Sequence, residues 1–171
     1  MNTFKKILVA TDTRLSDQRI VEAAVEVAKQ KGATLTIVDV VQNFSWAQSL
    51  AVQDIESVRD SFRKLVFDRL ITIADLVGGG GIDLQIKLLE GRTSDSLISE
   101  VIAGGYDLLI AVGKGERSAS EDYLGRTATM LLRNCPCEVW LSPHGERPVF
   151  TRNPSHVSEG RVSGESASLM A

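Results

Sequence analysis

The chain has 171 residues, of which 43% are apolar and 24% charged, and its formal net charge is −3. This size fits one globular domain, and the acidic balance with few aromatic residues argues against a nucleic-acid-binding groove. No apolar run approaches the roughly 18 residues of a membrane-spanning helix, the first residues lack the features of a secretory signal, and two cysteines cannot form a disulfide framework. We therefore expect a soluble, cytoplasmic protein that binds neither nucleic acid nor a membrane.

The apolar pattern predicts five strands that alternate with four helices. In chain order these are strand 6–12, a helix from 16 to 32, strand 33–41, a helix over 47–77, strand 82–89, a helix from 93 to 105, strand 106–112, a helix over 124–132 and strand 137–141. The strands are continuous apolar runs, as in parallel sheets covered on both faces. Strands joined by helical crossovers predict an α/β, doubly wound, five-stranded parallel sheet.

The composition changes beyond Ser142, where apolar residues are scattered and show no period. The predicted organisation is therefore one α/β domain over residues 1–142, followed by a disordered tail over residues 143–171.

Polar turns follow three of the predicted strands at their carboxyl ends, where doubly wound sheets bind ligands. These turns contain Asp12 and Thr13, Gly91 and Arg92, and the loop 113–120. We expect them to converge on one crevice, with amide groups near Gly113 and Gly125 available to an anion. The alternative is that the glycine-containing loop is only a tight turn, because neither a Walker loop nor a dinucleotide fingerprint is present.

Four segments together resemble the universal stress protein family and occur in the family's order. They are Ile7-Leu-Val-Ala-Thr-Asp12, Leu89-Glu-Gly91, Tyr106-Asp-Leu-Leu-Ile-Ala-Val-Gly113 and the segment 124–139. The resemblance implies a flavodoxin-like, Rossmann-like sheet with strand order 3-2-1-4-5 and a homodimer formed through the last strand, from Cys137 to Leu141. One branch of the family binds ATP through a G-x2-G-x9-G-[ST] loop, whereas a second branch lacks this pattern and is not known for nucleotide binding.

The family motif can be placed on this sequence residue by residue, with departures. Gly113 matches the first glycine and Gly125 the third, while Glu116 stands at the second and Arg126 stands where a hydroxyl residue is expected. The resemblance places Asp12 near adenine or ribose, and Val41 and Gly91 beside the base. The predicted nucleotide-binding residues are Asp12, Thr13, Val41, Gly91, Arg92, Gly113, Lys114, Gly115, Arg117, Ser118, Gly125, Arg126 and Thr127.

Glu116 bears on which nucleotide would bind. A carboxylate about 4 Å from a phosphate repels it by about 4 kcal/mol per charge pair at an effective dielectric constant near 20. Ligands with fewer phosphates, such as AMP, are less affected than ATP. The repulsion is relieved if Glu116 turns to solvent, or if Lys114, Arg117 and Arg126 surround the phosphates.

The function predicted from these observations is a non-catalytic stress-response or regulatory homodimer that binds an adenine nucleotide and acts on an unidentified protein partner. Asp12 is interpreted as a binding or capping residue. The alternatives are a weak ATPase that uses Mg²⁺ in the same cleft, with Asp12 in the catalytic role, and a dimeric partner-binding module without nucleotide.

No metal site is predicted from the sequence. His144 and His156 are the only histidines, and the spacing of Cys135-Pro-Cys137 matches no zinc pattern, so the cysteines are interpreted as small packing residues. Trp140 in the last strand either anchors the predicted dimer or covers a helix of its own chain.

Overall fold

The computed structural model describes residues 4–12, 18–42, 55–78, 81–113, 124–142 and 150–152. The elements in chain order are β1 (Lys6–Ala10), α1 (Arg19–Lys31), β2 (Thr34–Val41), α2 (Ile55–Val77), β3 (Leu84–Glu90), α3 (Thr93–Gly104), β4 (Leu108–Val112), α4 (Arg126–Asn134), β5 (Glu138–Ser142) and β6 (Phe150–Arg152). Residues 16 and 17 of the first predicted helix and residues 47–54 of the second lie outside the described residues.

Strands β1 to β5 form a parallel sheet in the order β3-β2-β1-β4-β5. This confirms the predicted α/β fold and its 3-2-1-4-5 strand order. Val9 in the central strand β1 lies opposite Ile37 of β2 and Ile110 of β4. Each neighbour is parallel because a helical crossover returns the chain to the same end of the sheet.

Helices cover both faces of the sheet and bury its two sets of alternating side chains. Ile7 and Val9 pack in a cluster with residues of α1 and α2, whereas Leu8 packs in the cluster that contains residues of α3 and α4. Ile7, Leu8 and Val9 are fully buried, as the continuous apolar run predicts. Burial of each such side chain stabilises the fold by about 1.5–3 kcal/mol.

Asp107 fixes the start of β1 relative to β4. Its Oδ2 accepts hydrogen bonds from the backbone N–H groups of Lys5 at 2.7 Å and Lys6 at 3.0 Å. The side chain thus satisfies amides at the beginning of the central strand, opposite to the edge where the polar turns lie.

The short strand β6 differs from the expectation that all of 143–171 is disordered. Phe150–Arg152 pairs antiparallel with β5, with Trp140 opposite Thr151. Three residues are too few to show a hydrophobic period, so no sequence pattern indicates this strand. Its pairing satisfies backbone groups that β5 would otherwise expose at the sheet edge. Residues 143–149 and 153–171 lie outside the described residues.

In the described part of the chain, no helix combines the length and apolar character that a membrane crossing requires.

Candidate nucleotide site

The carboxyl ends of β1, β2, β3 and β4 lie at one edge of the sheet because these strands are parallel. Asp12 follows β1 and is half-buried, Val41 ends β2 and is buried, Gly91 follows β3, and Gly113 follows β4. The structure thus brings the described members of the predicted site to the expected edge. Thr13, Lys114, Gly115, Arg117 and Ser118, together with Glu116, lie outside the described residues.

The amides of Gly113 and Gly125 themselves take part in main-chain hydrogen bonds. The N–H of Gly113 donates to the carbonyl of Ser142 at 2.8 Å, and the N–H of Gly125 donates to the carbonyl of Gly113 at 2.8 Å. These bonds hold the end of β4 against β5 and against the start of α4. Both of these donors are therefore used within the chain, whereas the predicted anion-binding amides near the two glycines include those of residues 114–120, which lie outside the described residues.

A cavity of about 390 Å³ lies between the N-terminal ends of α3 and α4. The described residues that line it are Gln42, Gly91, Arg92, Thr93, Ser94, Arg126, Thr127 and Met130. Four of these lining residues are among the predicted site residues: Gly91, Arg92, Arg126 and Thr127. Asp12, Val41, Gly113 and Gly125 are near this edge in the fold but are not among the described lining residues.

Two arginines and two helix N-termini give this cavity a positive potential. Arg92 is the N-cap residue of α3, and Arg126 is the first residue of α4. The Arg92 side chain is 79% exposed, with its Nε at 3.7 Å from Asp95 Oδ2. Because such an exposed pair is weak, the Arg92 guanidinium can turn to another anion at little cost. The first-turn N–H groups of each helix lack intrahelical acceptors, which favours negative charge at the same place.

Gly91 forms a wall of the cavity in a conformation that other residues rarely adopt. Its φ is +121°, and a Cβ atom built on it lies 2.9 Å from Ser96 Oγ. That hydroxyl donates to the carbonyl of Glu90 at 2.9 Å, and the Gly91 N–H donates to the carbonyl of Val41 at 3.0 Å. The turn between β3 and α3 is therefore fixed by hydrogen bonds on both sides of Gly91.

The Glu90 carboxylate anchors this turn to α2 on its other side. Its Oε2 lies 2.6 Å from Arg59 Nη2, and its Oε1 lies 2.8 Å from Arg63 Nη2. Two guanidinium groups on one carboxylate hold the end of β3 more firmly than a single surface pair would.

Four lining residues were not predicted as site residues. Thr93 and Ser94 begin α3 directly after its N-cap residue Arg92, whose side chain makes no cap hydrogen bond. Gln42 directly follows Val41 at the end of β2. Because side chains alternate along a strand, we expect the side chains of these two residues to lie on opposite faces of the sheet. Met130 lies one helical turn after Arg126 and Thr127, a spacing that indicates the same face of α4.

The two cysteines are buried at the junction of α4 and β5, as their interpretation as packing residues requires. Their Sγ atoms are 3.5 Å apart, and a hydrogen bond with Cys135 together with burial raises the pKa of the Cys137 thiol. Within the described ranges, no group of three or more Cys, His, Asp or Glu side chains is arranged to hold a metal ion.

Comparison with known proteins agrees with this architecture. A family model described as the universal stress protein family matches residues 3–143. Universal stress protein E of Photorhabdus laumondii is 26% identical over 146 residues, which cover 82% of this chain and 46% of that protein. The chain thus spans less than half the length of this curated relative.

Solved structures share the fold. A universal stress protein family member from Burkholderia pseudomallei superposes with a TM-score of 0.63 at 24% identity, covering 84% of this chain and 98% of that one. A universal stress protein in complex with cAMP gives a TM-score of 0.61 at 19% identity, covering 84% and 99%.

The sheet order and the cavity at its carboxyl edge place the protein in the Rossmann-like class of α/β folds. The family model extends over most of the chain, and its matched range includes β1 to β5 with their four helices. The chain belongs to the universal stress protein family.

Proposed function

We propose that this protein is a non-catalytic, cytoplasmic stress-response regulator whose cavity binds an adenine nucleotide. The observation that carries the proposal is the pair Arg92 and Arg126 on a cavity between two helix N-termini. An anion there gains charge-assisted hydrogen bonds as well as the favourable end of each helix dipole.

The ligand proposed for this site is a nucleoside monophosphate. The cavity, at about 390 Å³, falls near the lower end of the range for small-molecule sites, roughly 300–1,000 Å³. Gln42 supplies an amide that can hydrogen-bond a base or ribose, and Met130 supplies an apolar contact. The family member solved in complex with cAMP, a nucleotide with one phosphate, supports this choice.

The nucleotide acts as a signal in this proposal and is not a substrate. The alternative ATPase needs Mg²⁺ and a group that positions water. We propose nucleotide binding without turnover, and the assay with and without Mg²⁺ described below distinguishes the two. In this proposal, a regulatory protein partner recognises the nucleotide-bound form of the protein.

The proposal includes a homodimer formed through β5, by main-chain pairing with a second copy at the edge of the sheet where β6 lies in this structure. The third candidate is a partner-binding module that dimerises through the same edge of the sheet. It differs from the first candidate only in that its cavity binds no nucleotide.

One experiment separates the three candidates. The purified protein is denatured, its supernatant is examined for adenine compounds, and phosphate release from ATP is then followed with and without Mg²⁺. Bound nucleotide without turnover supports the regulator, turnover that Asp12→Ala abolishes supports the ATPase, and no nucleotide with no binding of added AMP supports the partner-binding module.

A further inference from the structure

Strand β5 does not present an open edge in this structure. β6 runs antiparallel beside it, with Val139 opposite Arg152, Trp140 opposite Thr151 and Leu141 opposite Phe150. Backbone groups on the outer side of β5 are therefore paired within the same chain.

A second copy of the protein would need the same backbone groups. Two copies related by a two-fold axis bring their β5 strands together in opposite directions, so the partner strand pairs antiparallel. β6 has this direction and this position already. Pairing with β6 and pairing with the β5 strand of a second copy therefore exclude each other.

We propose that β6 occupies the edge of β5 in place of a second copy, so that the C-terminal tail controls self-association. This inference rests on the dimerisation included in the proposed function and adds a regulatory element to it.

The side chains of β5 are held within the chain and need not change when the pairing strand is exchanged. The Trp140 ring packs edge-on against Phe4 with centroids 5.7 Å apart, and its Nε1 donates to Glu138 Oε1 at 2.7 Å. Val139 and Leu141 are fully buried. The Trp140 ring thus contacts Phe4 of its own chain, a residue that lies before β1, and exchange at the edge involves main-chain hydrogen bonds.

The lengths of the competing strands make the exchange reversible. β6 has three residues, whereas β5 has five. A second β5 offers a longer partner than β6, but its encounter depends on concentration. If β6 is paired in about nine of ten molecules, only about one copy in ten has a β5 edge that is open to a partner. Because a dimer needs two such copies, the apparent dimer dissociation constant is raised about a hundredfold.

The test compares three full-length proteins: wild type, Thr151→Pro and Thr151→Val. Proline removes a backbone donor and disfavours a paired strand, whereas valine preserves strand propensity at the same position. Light scattering over a dilution series gives the dimer dissociation constant, and hydrogen exchange measures the protection of the β5 amides in the monomer. We expect Thr151→Pro to dimerise at least tenfold more tightly than wild type and to lose β5 protection as a monomer, while Thr151→Val matches wild type.

The results distinguish a failure of the competition between β6 and a second copy from a failure of dimerisation itself. Equal dissociation constants for wild type and Thr151→Pro overturn the competition and leave the dimer intact. An equally rapid exchange of the β5 amides in the two monomers also overturns it, because β6 would then not be paired. If neither protein dimerises at any concentration, the self-association in the proposed function fails, and the competition fails with it.

Discussion

The substitution Gly91→Ala tests the turn that forms a wall of the cavity. A residue with a side chain is strained at a φ of +121°, and the new Cβ atom would lie 2.9 Å from Ser96 Oγ. Ser96 can retreat only by weakening its hydrogen bond to the carbonyl of Glu90. The substitution therefore combines backbone strain with the loss of a specific contact.

The expected cost follows from these two effects. Backbone strain of this kind costs about 1–3 kcal/mol. Loss of the Ser96 hydrogen bond adds about 0.5–1.5 kcal/mol. We expect Gly91→Ala to lower the free energy of unfolding by about 2–4 kcal/mol and the melting temperature by at least about 4 °C.

Urea unfolding of matched variants measures this cost. Gly32→Ala is the control, because Gly32 has a φ of +63° and a Cβ atom placed on it would meet no other atom within 4 Å, so its cost is about 1–2 kcal/mol. Repeating Gly91→Ala in a Ser96→Ala background removes the close contact and should recover about 1 kcal/mol. A cost equal to that of Gly32→Ala, with no coupling to Ser96, would refute the reasoning.

Three further predictions concern the core and the cavity. Tyr106→Phe should cost about 1–3 kcal/mol in denaturant unfolding, because the buried Tyr106 hydroxyl is within 3.2 Å of Thr36 Oγ1, which would lose this partner; an unchanged midpoint would contradict this. The free energy of unfolding should fall as the pH rises above 9.0, the ordinary pKa of a thiol, because the raised pKa keeps Cys137 protonated only in the folded chain. Cys137→Ala should reduce that pH dependence, and an identical slope would count against it. Arg126→Ala should weaken AMP binding about tenfold or more, as calorimetry can measure, whereas Arg133→Ala should leave it unchanged.

The sequence predicts the parallel sheet well because burial on both faces leaves a local signature. The apolar run in Ile7, Leu8 and Val9 requires cover on two sides, and a helix after each strand provides it. The order of the strands came instead from the resemblance to the universal stress proteins. No local pattern specifies which strands become neighbours.

The sequence predicts which end of the sheet the candidate site residues occupy, but it does not predict the hydrogen bonds of their backbone amides. Gly91, Arg92, Arg126 and Thr127 meet at the cavity because parallel strands place their following turns at one edge. Sequence spacing cannot show how a backbone amide is used, so the bond from Gly125 to the carbonyl of Gly113 was not foreseen.

The side of the sheet at which β6 pairs with β5 shows a second limit of sequence patterns. β6 pairs with β5 through backbone groups, which every residue type carries, and Phe150–Arg152 is too short to stand out. The packing of Trp140 on Phe4 likewise depends on two segments far apart in the chain. A tryptophan in an edge strand is equally compatible with an intermolecular contact.

Calorimetric titration of the full-length protein with AMP, in parallel with the Arg92→Ala/Arg126→Ala variant, tests the central claim most directly. We expect saturable binding of one AMP per chain, weakened by at least about a hundredfold in the double variant while the thermal stability of the unliganded protein changes little. Equal affinity in the two proteins, or no heat of binding with AMP, ADP, ATP or cAMP, would contradict it.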